Sequence, residues 1–341
     1  MKQESIAEFH RQLHRWYAAN GRHDLPWRQT RDPYAIYLSE VMLQQTQVKT
    51  VLERYYFPFL DAFPTLSALA AAEEEAVLKR WQGLGYYNRA INLHHAAKAC
   101  APRLPQTYDA LIALPGIGQN TAHAILAFAY HQPVAVLEAN VKRVITRIAA
   151  LPNPTPAQLW QSAAHLLDHA HPFNYNQAMM DLGATICTPK IPNCTACPAQ
   201  QICKGQHTPL HFPKRQPKSA IPTRHRHIAV LRNPQTRFLM QRRSGKFLNG
   251  LYGFTEIPNT HTQLTYNRKR YAFGPEVLLG RLTQTYSHFK LDAEVFLLDV
   301  PHQTNSPDWH DIDTLSALPM SKADEKIVKL LKQKLITPSY K

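Results

Sequence analysis

Through the first 200 residues apolar positions recur every three or four, whereas beyond about residue 224 they recur every two. The first regime predicts helices and the second strands, so the chain reads as an all-α module followed by an α+β module. Residues 6–19 form an amphipathic helix on this reading. Asp32 and Pro33 then supply an N-cap and a first-turn proline. One long helix is expected to follow, through PYAIYLSEVMLQQTQVKTVLERYY, with Glu40, Leu43 or Gln44, and Gln47 on one side. Further helices are expected around 65–80, 88–100, 107–113, 140–149, 157–170 and 174–184.

Between two of these lies LPGIGQNTA (114–122), which predicts a helical hairpin turning through Gly116 and Gly118. Such a turn exposes backbone N–H groups at a helix start, where a phosphate can sit. A helix precedes it, whereas a dinucleotide-binding turn would need a strand there. The stretch GQHTPLHFPKRQPKSAIPT (205–223) has no period and reads as a linker. After it, HIAVLRN, RFLMQRR, EVLLGRL and KLDAEVFLLDV read as strands, with turns at Asn233-Pro234 and Gly245–Gly250. A short helix at 322–335 closes the second domain, and no segment repeats.

Charge changes this picture from fold to partner. Lys and Arg number 39 against 24 acidic residues, a net +15 in 341 residues. From Leu182 to Phe254 there is no Asp or Glu, while Lys190, Lys204, Lys214, Arg215, Lys218 and Arg224 open a long basic stretch. Such a balance points to a polyanion, with nucleic acid the expected one. No apolar run reaches membrane-spanning length, and MKQESIAEFH does not read as a signal peptide.

Four of the five cysteines fall in seventeen residues: Cys187, Cys194, Cys197 and Cys203, a C-x6-C-x2-C-x5-C run. Gathered thiolates suit a soft metal or an iron–sulfur cluster. Structural zinc prefers two tight pairs, and only one pair here is tight. The spacing therefore favours a [4Fe–4S] cube and leaves zinc as the second reading. Cys100, unpaired beside such a cluster, fits a reducing interior.

Taken together, these features resemble the adenine DNA glycosylases of the MutY type, within the helix-hairpin-helix glycosylase superfamily. The matching strings are LPWR (25–28), LSEVMLQQTQV (38–48), WQGLGYYNRA (81–90), LPGIGQNTA, NVKRV (140–144) and the cysteine run. QRRSGKFLNGLYGF (241–254) and TYSHFKLD (285–292) extend the likeness into the second half. The resemblance implies a helical glycosylase module over 1–204, with a six-helix subdomain at about 24–133 and a cluster subdomain at about 1–23 and 134–204. A linker (205–223) and a Nudix-like 8-oxoguanine recognition domain (224–341) complete the expected order. The nucleotide-hydrolysing Nudix pattern, G-x5-E-x7-R-E-x2-E-E, does not occur between 222 and 341, so no nucleotide hydrolysis is expected.

The implied reaction removes adenine mispaired with 8-oxoguanine (or guanine) from duplex DNA, without cutting the strand. Glu40 is implied as the acid that protonates the base, and Trp27, Arg28 and Leu43 as residues of its pocket. Gln45, Thr46 and Tyr86 are implied to enter the duplex beside the lesion. Gly116, Gly118 and Lys142 are implied to meet the backbone phosphate, with a monovalent cation at the hairpin. Tyr286, Ser287 and His288 occupy the positions of a loop that probes 8-oxoguanine, with tyrosine for the family's phenylalanine.

Two positions depart from the family. Leu137-Glu138-Ala139-Asn140 replaces the usual L-D-G-N, and Glu138 takes the place of the aspartate that stabilises the sugar cation. Asn120 stands where relatives commonly carry serine or tyrosine, and where a bifunctional lyase of the endonuclease III kind carries lysine. That lyase and a catalytically weak lesion-binding protein are the alternative readings. The expected setting is the cytoplasm, on DNA, as a monomer away from membranes.

Overall fold

The computed structural model describes residues 3–214, 220–301 and 306–336. Lys218 and Arg215 of the basic stretch lie outside the described residues. The helices are α1 Gln3–Asn20, α2 Pro26–Gln29, α3 Pro33–Met42, α4 Val48–Arg54, α5 Tyr56–Ala62, α6 Leu66–Ala71 and α7 Glu74–Trp81. They continue as α8 Asn88–Cys100, α9 Tyr108–Ile112, α10 Gln119–Ala129, α11 Ala139–Ile148, α12 Pro156–Leu166, α13 Pro172–Asp181 and α14 Lys322–Ile336. The chain divides into two compact units: Met1–Ala71 with Asn92–Pro217, and Ala72–Ile91 with Lys218–Lys341.

In the first unit α1, α11, α12 and α13 share one core, in which Leu13, Tyr17, Val141, Val144, Leu166 and Met179 are buried. Ile36 of α3, Ala124 and Phe128 of α10 and Val136 form a second. The long helix expected from Pro33 onward is interrupted. Asp32 caps α3 through hydrogen bonds from the Tyr34 and Ala35 N–H groups, and Leu43 ends it. Gln45 then takes a left-handed φ of 57°. The polar run Gln44–Gln47 carries no apolar position to extend the buried stripe, so the helix stops where its burial stops. Glu40 and Gln47 therefore share no helix face, contrary to the expectation from spacing.

The second unit is built on a sheet of β1 Thr223–Arg232, β2 Phe238–Leu239, β5 Thr255–Pro258, β8 Leu278–Thr285, β9 Lys290–Asp299 and β10 Trp309–His310. Two small ribbons accompany it, β3 Gln241–Arg242 with β4 Tyr252–Gly253, and β6 Gln263–Tyr266 with β7 Lys269–Ala272. β1 runs parallel to β9 and β9 antiparallel to β8. Alternation sorts the β1 side chains: Ile228 and Val230 pack with Ile327 and Leu331 of α14, whereas Ala229 and Leu231 pack with Phe296 and Trp309.

Two differences from the sequence reading concern boundaries. Residues 72–91, expected in the six-helix subdomain, fall with the sheet: Lys79 Nζ donates to Ser316 O at 2.7 Å and Arg242 pairs with Glu74 at 2.6 Å. Residues 205–214 are fastened to the helical unit by Gly205 N–H to Arg147 O (3.0 Å) and Lys214 N–H to Pro152 O (2.9 Å). Backbone hydrogen bonding fixes that segment without any side-chain period, which is why it looked like a linker.

Candidate functional site

The site begins with α3, whose last turn carries Glu40, half-buried between fully buried Ser39 and Val41. Burial disfavours its charge and raises its carboxyl from the ordinary 4.5 to about 7; the Glu138 carboxylate pushes the same way and Arg28 opposes it. Near neutrality Glu40 is thus split between acid and carboxylate, the condition a general acid needs. The push from Glu138 joins residues 98 positions apart, so nothing in the sequence near Glu40 reveals it.

Arg28 is fixed from below. Its guanidinium donates to both oxygens of fully buried Asp181, at 2.7 and 2.9 Å, and Asp181 also receives the Arg22 N–H and Nε at 2.9 and 2.7 Å. These donors outweigh burial and hold the Asp181 carboxyl below its usual range. Asp181 was not singled out in the sequence; only its place just ahead of the cysteines marked it. Trp27 is 5% exposed and stacks edge-on against Tyr56 at 5.2 Å, as a core side chain does. Leu43 is half-buried at the end of α3, while Gln45 and Thr46 occupy the turn beyond it, Gln45 exposed and Thr46 half-exposed.

Glu138 stands at the start of α11 and caps it. Its two oxygens accept the Asn140 N–H at 2.9 Å and the Val141 N–H at 3.1 Å. The extended strap before it is held by three side chains. Asn176 accepts the Val136 N–H (2.8 Å), His123 Nδ1 bonds Ala135 O (2.7 Å), and Asn120 accepts the Leu137 N–H (2.7 Å). Asn120 therefore turns inward and fixes the residue next to Glu138, a role no local pattern announced. Ala139 begins the helix with ordinary helical backbone, so the freedom of a glycine is not called on there.

The hairpin forms as expected, with α9 and α10 joined through Gly116 and Gly118. Gly116 has a φ of 74°, and a Cβ there would meet Asn92 at 2.5 Å, so both conformation and space require glycine. Gly118 is the N-cap of α10, and open space surrounds it. Lys142 is exposed on α11.

The same helix α11 holds the cysteine loop. Arg143 Nε donates to Cys187 O at 2.8 Å, and Arg147 Nη1 donates to Thr188 O at 2.8 Å and to Cys187 Sγ at 3.2 Å. A π-helical turn, Leu182–Ile186, delivers the chain from α13 into Cys187. Cys187, Cys194, Cys197 and Cys203 line one cavity. Burial pushes the Cys197 thiol up to about 12 and Cys203 up to about 11. Four soft donors on one cavity, with burial raising the Cys194, Cys197 and Cys203 thiols, fit a thiolate-bound metal group.

In the second unit a cavity of about 460 Å³ is lined by Tyr86, Arg89, Phe247, Tyr286, Ser287 and His288, among others. Tyr86 is 44% exposed and holds a left-handed φ of 50°, and Arg89 lies over its ring at 5.5 Å. Tyr286 to Phe289 makes a tight turn closed by the Tyr286 N–H to Phe289 O bond at 2.9 Å. It leaves Ser287 and His288 exposed, 3.1 Å apart. Phe247, overlooked in the sequence, stands edge-on to Tyr286 at 5.1 Å and to His288 at 5.2 Å.

The basic stretch is less free than its sequence suggests. Arg226, Arg232, Arg237, Arg242 and Arg243 pair with Glu256, Asp299, Asp311, Glu74 and Asp324. What stays exposed near the cysteines is Lys190, Lys204 and Lys214. Pairing thus lowers the charge available to a polyanion below what the sequence count suggests.

Residues 38–168 match the family model of the HhH-GPD superfamily of base excision DNA repair proteins, and residues 227–330 that of the NUDIX domain. An adenine DNA glycosylase of Buchnera aphidicola is 29% identical over 95% of this chain and 97% of its own. The adenine DNA glycosylase of Rattus norvegicus is 42% identical over 59% of this chain, a match spanning 42% of the rat protein. Among solved structures, a thermostable thymine-DNA glycosylase covers 60% of this chain and 97% of its own, at 27% identity and a TM-score of 0.55. An endonuclease III in a DNA complex, at 17% identity and a TM-score of 0.52 over 61% of this chain, shares the fold. Because the Buchnera alignment runs through both modules, and not through the helical one alone, this chain belongs to the MutY-type adenine DNA glycosylases of the helix-hairpin-helix superfamily.

Proposed function

We propose that this enzyme hydrolyses the N-glycosidic bond of adenine mispaired with 8-oxoguanine, or with guanine, in duplex DNA. The observation that carries the reading is Glu40, held half-protonated near neutrality in the field of a second carboxylate, Glu138. The target adenine must leave the stack, at a cost of a few kcal/mol that a mismatch lowers. Glu40 then gives its proton to a ring nitrogen of the base, N7 by its accessibility. The bond from C1′ to N9 breaks, and its electron pair leaves with adenine. The Glu138 carboxylate faces the sugar cation, and water adds to C1′ while its proton passes to a carboxylate. Free adenine and an abasic site result.

Recognition of the opposite base falls to the cavity of the second unit, with Tyr86 as the wedge and Ser287 and His288 as polar probes. Gln45, on a left-handed exposed turn, fills the vacated stack, with Thr46 beside it. The left-handed backbone of Gln45 and Tyr86 carries strain of the kind kept where function requires it. Gly116 and Gly118 present backbone N–H groups to a phosphate, with a monovalent cation, and Lys142 adds charge; such contacts position and do not discriminate. Incubation with a duplex bearing A opposite 8-oxoguanine, followed by hot alkali, tests the whole reading. Strands that remain uncut after alkali would overturn it.

The four cysteines are the ligands we assign to a [4Fe–4S] cluster, which when bound supplies a rigid, charge-neutralised anchor for the loop and no step of the hydrolysis. Arg143 and Arg147 tie that anchor to α11, and Lys190, Lys204 and Lys214 sit around it for DNA. Purified protein is expected to be brown, to absorb near 400 nm and to contain about four irons per chain. Zinc at the cysteines, with no visible absorption, would sink the assignment. Cys197→Ser is expected to lose DNA binding or soluble protein.

Excision is expected to leave the strand intact until alkali is added. A lyase starts with an amine attacking C1′. Position 120 holds an amide whose oxygen is committed to the Leu137 N–H. Stoichiometric nicks before alkali, with enzyme trapped on DNA by borohydride, would contradict this.

A further inference from the structure

We propose that His14, Asp168 and His171 form a second metal site, for a divalent transition-metal ion such as zinc, apart from the cysteines and the hairpin. His14 projects from α1, Asp168 lies just after α12, and His171 is the N-cap of α13. One ligand atom from each lies within 4.8 Å of the other two. His14 Nε2 is 2.7 Å and His171 Nδ1 3.4 Å from the same oxygen, Asp168 Oδ2. Tetrahedral bonds of about 2.0 Å place ligand atoms roughly 3.3 Å apart. The His171 pair is already at that separation, and the His14 pair must open by about 0.6 Å, a side-chain adjustment.

Four further features favour an ion over a plain ion pair. Asp168 is only 8% exposed, yet among the described residues its ion pairs are to histidines and to no lysine or arginine. A divalent ion would satisfy that buried carboxylate more fully than histidine contacts alone. The other oxygen, Oδ1, is tethered by the Ala170 N–H at 3.0 Å, which orients Oδ2 as an outer-shell contact does in metal sites. The rings of His14 and His171 meet edge-on at 5.4 Å, so their nitrogens converge without stacking. The His171 side chain is 64% exposed, which leaves a path for the ion and a position for water as fourth ligand.

Binding through Nε2 takes up the lone pair there. The proton His14 shares with Asp168 moves to Nδ1, or to solvent if the ring is charged, so acid weakens the site. The ion would join α1 to the turn before α13 across 154 residues of chain, and its role is structural.

The test uses the full, cluster-loaded chain. It is dialysed against buffered zinc at about 10 μM free metal, near saturation for a micromolar site, and analysed for zinc and iron together. Wild type and His169→Ala, an exposed neighbour control, are expected to retain about one zinc beyond the iron. His171→Ala and His14→Ala are expected to bind at least tenfold more weakly, with iron content, absorption near 400 nm and adenine excision unchanged. Zinc should raise the melting temperature of wild type and not of His171→Ala. Equal zinc in wild type and His171→Ala, or none in wild type, overturns the proposal. Because iron and excision are read in the same samples, loss of the zinc site is separable from loss of the proposed activity.

Discussion

Glu40→Gln should stop adenine release almost completely, with single-turnover excision falling at least a thousandfold while the duplex is still bound. A glutamine amide is the same size and cannot deliver a proton, so the variant removes the acid and little else. General acid catalysis contributes typically 10²–10⁴-fold, and here the leaving group is a purine whose departure depends on that proton. The pH profile is the second readout. Burial and the Glu138 carboxylate raise the Glu40 carboxyl to about 7, so its acid form is present below that value and disappears above it. Excision by wild type should therefore decline as pH rises through 7, tending to tenfold per pH unit. A profile flat from pH 6 to 9, or near-wild-type excision by Glu40→Gln, would remove Glu40 from the chemistry.

What the sequence revealed and what it hid divide along a physical line. α8 was expected at 88–100 and is Asn88–Cys100, because an amphipathic helix writes its own period into the chain. The glycine hairpin and the cysteine run are equally local. The break at Gln45 was missed because Gln44 to Gln47 are tolerable helix residues one by one, and only the missing apolar stripe argues against them. Arg243–Asp324 and Arg242–Glu74 join residues far apart in the chain, and nothing near Arg243 or Arg242 marks them as spoken for. The paired arginines thus made the basic stretch look more available than it is. Asp181 and the Asn120–Leu137 bond belong to the same class: each matters through a partner brought by the fold.

Glu138 is where that long-range class bears on rate. Glu138→Gln is expected to lose at least two orders of magnitude in single-turnover excision opposite 8-oxoguanine while still binding duplex. The amide removes the negative charge from the sugar side, and it also weakens a helix cap, worth roughly 0.5–2 kcal/mol. A melting measurement separates that stability loss from the kinetic one. Excision at the wild-type rate would exclude Glu138 from the reaction. Glu138→Asp is the finer probe, because aspartate is a good cap and keeps the charge. It draws the carboxylate back by about 1.5 Å, one bond length along the side chain. A misplacement of about 1 Å can cost around a hundredfold. The strap that sets the glutamate is held by Asn120 at Leu137, and both 120 and 138 depart from the resembled family. If the pocket has been refitted around glutamate, Glu138→Asp alone should slow excision by roughly one to two orders of magnitude. Asn120→Ser, which releases the Leu137 N–H, should then restore part of that loss in the double variant. Independent, multiplying losses would show that the two departures do not act through one another. A faster Glu138→Asp enzyme would show instead that the native carboxylate is set too far forward.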